Sequence, residues 1–350
     1  VWIMAYTPID KSSDYFNILL YTGNDTASTT ISGVGFQSDF TWIKSRTTAE
    51  NHQAYDAVRG GGYRIYPNLA NAQSYIATTL TSWTSDGFVV GTDDGVNANG
   101  ANFVAWNWKA NGAGSSNTTG SINSTKTSAN TTSKCSIVTY TGNGSNATIG
   151  HGLGVVPATI WVKCLSNAGE DWMVFHKIIG ATHYLTLNTT AGDNSGGEVI
   201  WNDTLPTSSV FTIGTNGKVN TNGRTYVAYL FGEVQGFSKI NRYFGNGNAN
   251  GAFIYTGFKP GWIMIKRADA AGDNWLMHDS KRDGYNGGNK QLKADQANTE
   301  GDSRLIHILS NGFKIITADT KINGSGNQYL YWAFAENPFV TSTGIPTLAR

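Results

Sequence analysis

Residues Asn97–Trp108 read Asn-Ala-Asn-Gly-Ala-Asn-Phe-Val-Ala-Trp-Asn-Trp, and the same pattern stands at two other places in the chain. Residues 220–231 read Asn-Thr-Asn-Gly-Arg-Thr-Tyr-Val-Ala-Tyr-Leu-Phe, and residues 323–334 read Asn-Gly-Ser-Gly-Asn-Gln-Tyr-Leu-Tyr-Trp-Ala-Phe. In every copy an Asn precedes a Gly by three positions, and aromatic residues follow that Gly at +3, +6 and +8. Asn and Gly tolerate positive φ, and Asn bonds its own backbone, so the first part is turn chemistry. The part that follows is apolar, aromatic and β-branched, which suits a strand buried on both faces or nearly so.

Other landmarks keep the same order around this stretch. Tyr21-Thr-Gly-Asn, Tyr140-Thr-Gly-Asn and Tyr243-Phe-Gly-Asn lie upstream, followed by the strand-like runs 40–44, 159–163 and 262–266, each ending in Lys. The Gly of the upstream motif recurs after 119 and then 103 residues, and the Gly of the opening motif after 123 and then 103. The two sets of intervals agree, so the pattern is an internal triplication. Its period is that of whole domains, not of solenoid coils about 20–50 residues long. Short strands separated by Gly/Asn turns give an all-β class. The expected architecture is three tandem antiparallel β-sandwiches of jelly-roll or concanavalin-like type.

The expected boundaries are 1–110 for the first sandwich, 135–234 for the second and 235–340 for the third. Residues 111–134, nearly all Ser, Thr, Asn, Gly and Ala, read as a linker, because they offer little apolar surface to order themselves. Residues 341–350 read as an extended arm. In the first unit strands are expected at 16–21, 40–44, 53–58, 75–80, 88–92 and 103–108. Gln291–Asn298 is the one plausible helical turn. With almost no linker between them, the second and third units are expected to pack more firmly than the first and second.

Composition narrows the function classes. A formal charge of +1 with scattered Lys and Arg gives no basic stripe for a nucleic-acid partner. No apolar run approaches the roughly 18 residues that span a bilayer. Met4 reads as the initiator of a soluble cytoplasmic product. Cys135 and Cys164 read as small buried hydrophobes, with a disulfide as the alternative.

A search for chemistry yields little. No metalloprotease, dithiol, nucleophile-elbow or phosphate-loop motif is present, so no catalytic residue, enzyme activity or cofactor is assigned. The six histidines lack metal spacing, and His176 and His278 sit one repeat position apart, on opposite strand faces. Asp93, Asp94, Asn97 and Asn99 carry the oxygens of a weak Ca²⁺ candidate, with an Asx-rich hairpin as the alternative. Glu233 and Glu336, at one repeat position, read as rim or inter-domain contacts. The copies differ most between their Asp56-type and Phe88-type positions, and long loops on a rigid sheet are where binding is usually placed. Tyr63, Tyr66, Tyr75, Trp83, Trp201 and Tyr285 fall there and form the candidate contact surface.

The runs Met4-Ala-Tyr-Thr-Pro-Ile-Asp, Tyr140-Thr-Gly-Asn-Gly, Trp42-Ile-Lys, Asp86-Gly-Phe-Val-Val-Gly-Thr, Tyr226-Val-Ala-Tyr and Ala335-Glu-Asn-Pro-Phe together resemble a family of virion proteins. These are repeat-containing tail or fibre components of tailed bacteriophages, many of them marine, with laminin-G or concanavalin-like modules. The resemblance covers nearly the whole chain. It implies a protein of the virion surface that meets host glycan or protein, with other virion proteins and further copies of itself, as a trimer, for partners. The alternatives are a capsid-decorating or tail-sheathing protein, and a glycan hydrolase on the same scaffold.

Overall fold

The computed structural model describes residues 6–283, 286, 290–303 and 305–338. Met4, Tyr285 and the arm at 341–350 lie outside the described residues.

The opening motif begins with a single helical turn, not a plain hairpin. Asp94–Asn97, Gly217–Asn220 and Thr320–Asn323 are one-turn helices, capped by the side chains of Asp93, Asn216 and Asp319, which accept from the N–H two residues on. The motif Asn then ties the turn to the rest. Asn97 donates to the Gly91 carbonyl at 2.7 Å and accepts from the Asn24 N–H at 3.0 Å. Asn220 and Asn323 repeat both bonds, to Gly214 and Asn143 and to Thr317 and Asn246. Above each turn Tyr21, Tyr140 or Tyr243 donates to a helix carbonyl at 2.8 Å. Each of these rings stacks on the first aromatic of the following strand, Phe103, Tyr226 or Tyr329, at 5.1 Å.

The two motif glycines answer different needs. Gly100, Gly223 and Gly326 have φ of +73°, +79° and +76° with open space around them, so backbone conformation selects Gly. Gly23, Gly142 and Gly245 instead sit where a Cβ would fall 2.3, 2.4 and 2.3 Å from a backbone oxygen of the turn. Gly100→Ala is therefore expected to cost about 1–2 kcal/mol of left-handed strain. Gly23→Ala, which must move main chain, is expected to cost about 3 kcal/mol. Urea unfolding of the two variants checks this; equal costs would contradict the distinction.

The fold is all-β, built from several antiparallel sheets. In the first large sheet the strands lie in the order Phe16–Thr22, Asn102–Trp108, Phe40–Ser45, Gln53–Asp56. The middle sheet contains the order Cys135–Thr141, Thr225–Phe231, Thr159–Cys164, Met173–His176. The last sheet contains Ser238–Phe244, Gln328–Pro338, Phe258–Arg267, Leu276–Asp279. The register is also shared. Trp108 pairs with Phe16 and Phe40, Phe231 with Cys135 and Thr159, and Phe334 with Ser238 and Trp262. A smaller sheet accompanies each, built on Gly87–Val90, Val210–Ile213 or Gly312–Ile315.

Three local expectations need correction. Residues 111–134 are no loose linker: Ser115–Asn117 and Ser124–Asn130 are strands, the second pairing antiparallel with Cys135–Thr141. Composition misled because this segment is ordered by a backbone ladder on an existing sheet edge, not by burial of its own side chains. In the first unit the strand expected at 75–80 is split into Ser74–Tyr75 and Leu80–Thr84, and Thr29–Ser32 is an additional strand. The helical turn expected at Gln291–Asn298 is instead entered by the strand Lys290–Lys293.

The three large sheets share one core. Trp108, Phe231 and Phe334, corresponding residues of three strands, touch one another at centroid distances of 6.0, 5.4 and 5.6 Å. Around them the same contacts recur in a closed cycle. Trp106 donates to Asp279 at 3.0 Å, Tyr229 donates to Asp56 at 2.6 Å, and Trp332 packs edge-on against His176 at 4.8 Å. One layer out, His52 donates to the Lys293 carbonyl at 2.9 Å, Trp172 to Tyr66 at 2.9 Å and Trp275 to Thr186 at 3.1 Å. A third layer recurs in the main chain, with Gln73, Asp193 and Glu300 N–H groups on the Leu165, Ala268 and Arg46 carbonyls at 2.9, 2.7 and 2.9 Å. First meets last, middle meets first, and last meets middle, through equivalent positions. The firmer pairing expected for middle and last is therefore not what distinguishes the interfaces.

Candidate functional site

Once the cycle takes Tyr66, Gln73, Asp193 and Glu300 inward, the variable segments expose mainly their hairpins. In the first hairpin Tyr63 pairs across strands with Tyr75, their rings 5.1 Å apart. They are 38% and 62% exposed. Gly62, at φ +80°, makes room for this, since a Cβ there would lie 2.6 Å from the Tyr75 ring. Buried Arg59 holds the hairpin from below, donating to the Tyr63 carbonyl and to Gln73, each at 3.0 Å. Arg64 is placed beside it by Asp93 at 2.9 Å and lies over the Tyr66 ring at 4.7 Å.

The corresponding cross-strand pair is His183 with Ser195 in the middle hairpin, and Lys290 with Asp302, an ion pair, in the last. One backbone position thus presents an aromatic pair, an imidazole–hydroxyl pair and an ion pair. Comparing copies of the sequence locates these segments; the pairs span the same 12 positions in each, but the connection before the hairpin is longer in the last (279–290, against 56–63 and 176–183), which shifts its pair against the flanking strands.

Of the six aromatics expected here, Tyr63 and Tyr75 come together at the surface. Tyr66 is half-buried in the interface with the middle sheet. Trp83 is half-buried on the smaller sheet and donates to Thr41 at 3.2 Å. Trp201 requires correction: it is fully buried and packs edge-on against Phe175 at 6.0 Å, a core residue and not a contact residue. Tyr285 lies outside the described residues. The Ca²⁺ candidate is also used up. Asp93 caps Gly95 and pairs with Arg64, while Asn97 makes four hydrogen bonds within the turn. Among the described residues no three His, Cys, Asp or Glu side chains gather as a metal site would require. Cys135 and Cys164 are buried free thiols.

The interfaces differ electrostatically at one level. Asp56 and Asp279 are buried and each pairs with an Arg three residues on, at 2.5 Å. His176 and Ile179 hold the corresponding places in the middle sheet, and there His176 Nε2 and Trp332 Nε1 have no hydrogen-bond partner. His278, buried on the opposite face of the neighbouring copy, also lacks partners. Burial above all, helped by Lys177 and Arg282 respectively, lowers both imidazoles from 6.5 to about 3. The folded state thus favours the neutral ring. The associated stability is complete above about pH 6.5 and declines as pH falls from there toward 3. Thermal midpoints measured across that window are expected to fall with acid, less steeply in His176→Phe. Parallel profiles for the two proteins would contradict this.

Burial also lowers Lys44, Lys163 and Lys266 from 10.5 to about 8. Their ammonium groups bond to backbone carbonyls, and those of Lys163 and Lys266 cross the interfaces to Ala70 and Thr190 at 3.1 Å.

No curated protein matches this sequence. A family model, described as a domain of unknown function, DUF7483, matches residues 11–338, a range that takes in all three large sheets. The chain belongs to the DUF7483 family.

Proposed function

We propose that the chain consists of three copies of one antiparallel β-sandwich closed into a ring. We further propose that the ring is a virion surface subunit of a tailed bacteriophage, a tail-fibre or adhesin component that meets its host through the outward hairpins. One observation carries the reading: the same positions face the neighbouring copy in all three, with an aromatic at 106, 229 and 332 and at 108, 231 and 334, whereas the exposed cross-strand pair changes chemical class in each. A scaffold that keeps its inner contact positions while its tips diverge suits weak contacts made in several places and strengthened by display in many copies. Paired, mutually tilted tyrosines backed by an Arg and an Asp suit the apolar face and hydroxyl rim of a sugar ring.

The partners implied are host surface glycan, other virion proteins and further copies of the chain. Because the threefold contacts are already satisfied within one chain, the implied trimer would use other surfaces, and mass in solution tests it. For the main reading, the chain is displayed densely on beads and offered a panel of bacterial surface polysaccharides. Retention of at least one polysaccharide, lost in Tyr63→Ala/Tyr75→Ala, is expected. No retention at any density would favour the second reading, a capsid-decorating or tail-sheathing protein. That reading is supported by how much of the variable segments is spent on contacts within the chain.

A further inference from the structure

The three sheets share an edge strand, and its fate differs in each copy. In the middle sheet the edge Cys135–Thr141 is covered by Ser124–Asn130, with Ser128 opposite Ile137 and Asn130 opposite Cys135. That added strand also fastens to the end of the first copy. Asn130 donates to the Ala110 carbonyl at 3.2 Å, Asn111 N–H donates to Ser128 at 2.8 Å, and Lys126 donates to the Val58 carbonyl at 3.1 Å. In the last sheet the edge Ser238–Phe244 is closed by the short connection before it. Glu233 accepts the outward Ile240 N–H at 2.8 Å and pairs with Lys177 at 2.5 Å, and Ser238 N–H bonds to Val234.

Among the described residues no strand is added to the edge Phe16–Thr22 of the first sheet. Beside it, against the last copy, is a cleft of about 310 Å³. Register identifies this cleft. Its walls Phe16, Asn17 and Ile18 correspond to Cys135, Ser136 and Ile137, which the added strand covers. Its opposite wall, Lys281, Glu336 and Asn337, corresponds to Val58, Ala110 and Asn111, to which that strand fastens. The hydroxyl of Ser280, nine-tenths buried in this wall, has no hydrogen-bond partner.

We infer that this cleft is a strand-acceptor site. It takes an extended, Ser/Thr/Asn-rich segment of another polypeptide, antiparallel to Phe16–Thr22, as Ser124–Asn130 lies on Cys135–Thr141. The chain itself shows the occupant's chemistry, since the matching slot is filled by Ser-Thr-Lys-Thr-Ser-Ala-Asn. Addition of a strand to a sheet edge draws affinity from main-chain bonds and tolerates small polar side chains. The edge is ready for it. Odd-numbered residues bond inward to Asn102–Trp108, so the N–H and C=O of Leu20 face outward, and Leu20 is 41% exposed. The outward Ile18 N–H is held by its neighbour's side chain, Asn17 at 2.9 Å, which an incoming strand can displace.

The inference rests on the three-copy reading but not on where the protein is displayed. It is tested with a fluorescent peptide of residues 122–132, titrated into the full chain and followed by anisotropy. Saturable one-to-one binding is expected, weakened at least tenfold by Leu20→Pro, which removes an outward N–H that the fold does not use. Asn337→Trp, which fills the cleft from its exposed wall, is expected to weaken binding equally and serves if Leu20→Pro does not fold. Absence of saturable binding, or binding that neither variant weakens, would overturn the proposal. So would self-association of the chain abolished by these variants, which would make a second copy the occupant. Failure here with a single unfolding transition retained would remove the acceptor site and leave the three-copy ring standing.

Discussion

Trp108→Ala is expected to lower the stability of the entire chain by about 3–5 kcal/mol, the usual range for a large aromatic removed from a packed core. Trp108 belongs to the first large sheet, but its ring touches Phe16 and Phe40 at 5.1 Å, Phe231 at 6.0 Å, Trp262 at 5.6 Å and Phe334 at 5.6 Å. Those partners come from all three sheets, so the cavity opens where they meet. Urea unfolding followed by intrinsic fluorescence and by far-ultraviolet dichroism is expected to shift to one lower midpoint with both probes. A shift confined to part of the signal would mean that the first sheet unfolds alone.

Arg282→Ala ranks next, at about 3–5 kcal/mol, because it leaves a buried carboxylate without its cation. The Arg282 side chain is fully buried. It pairs with Asp279 at 2.5 Å, reaches Glu300 at 3.2 Å and the Met277 carbonyl at 3.1 Å, and lies over the Trp106 ring at 5.7 Å. Glu300 in turn holds Arg46 with two bonds, at 2.9 and 3.0 Å, joining the segment after the first sheet's Phe40–Ser45 to the last sheet. Arg282→Lys is not expected to restore the loss, because one ammonium cannot replace the planar fork that meets Asp279, Glu300 and Met277 together. Full recovery in the Lys variant would show that charge alone matters there. In the middle sheet the corresponding positions hold neither member of such a pair, but His176 and Ile179.

How far the sequence carried this picture depends on what kind of interaction fixes each element. Turns and buried strands were readable, because Asn97, Gly100 and the aromatics behind them act over a few residues. The two roles of glycine were not. Gly23 is needed because of Ala98, 75 positions away, and the contact exists only after the chain returns. Residues 111–134 were misread for a related reason: their order comes from a sheet edge supplied by Cys135–Thr141, which composition cannot see. Trp201 was taken for a surface residue because it falls in a variable segment, yet variation there extends into the core beside Phe175. The exposed pairs Tyr63/Tyr75, His183/Ser195 and Lys290/Asp302 lay within the segments that comparison of the copies marked as divergent. Their alignment was hidden by the longer connection ahead of Lys290, not by the hairpins, which span 12 positions in each case.

The inter-copy contacts were the least legible part. The apolar run after each motif Gly reads as a strand buried on both faces, which covers Trp106, Tyr229 and Trp332 but does not show that each reaches into a neighbouring sheet. A residue buried against its own sheet and one buried against a neighbour leave the same pattern along the strand.

Calorimetry of the unmodified chain tests the closed ring most directly. Three sandwiches joined in series would melt in separate steps, whereas copies that share Trp108, Phe231 and Phe334 should melt as one. A single transition, with calorimetric and van't Hoff enthalpies in agreement, is the predicted result; two or more resolvable transitions, or a calorimetric enthalpy two- to threefold the larger, would contradict it.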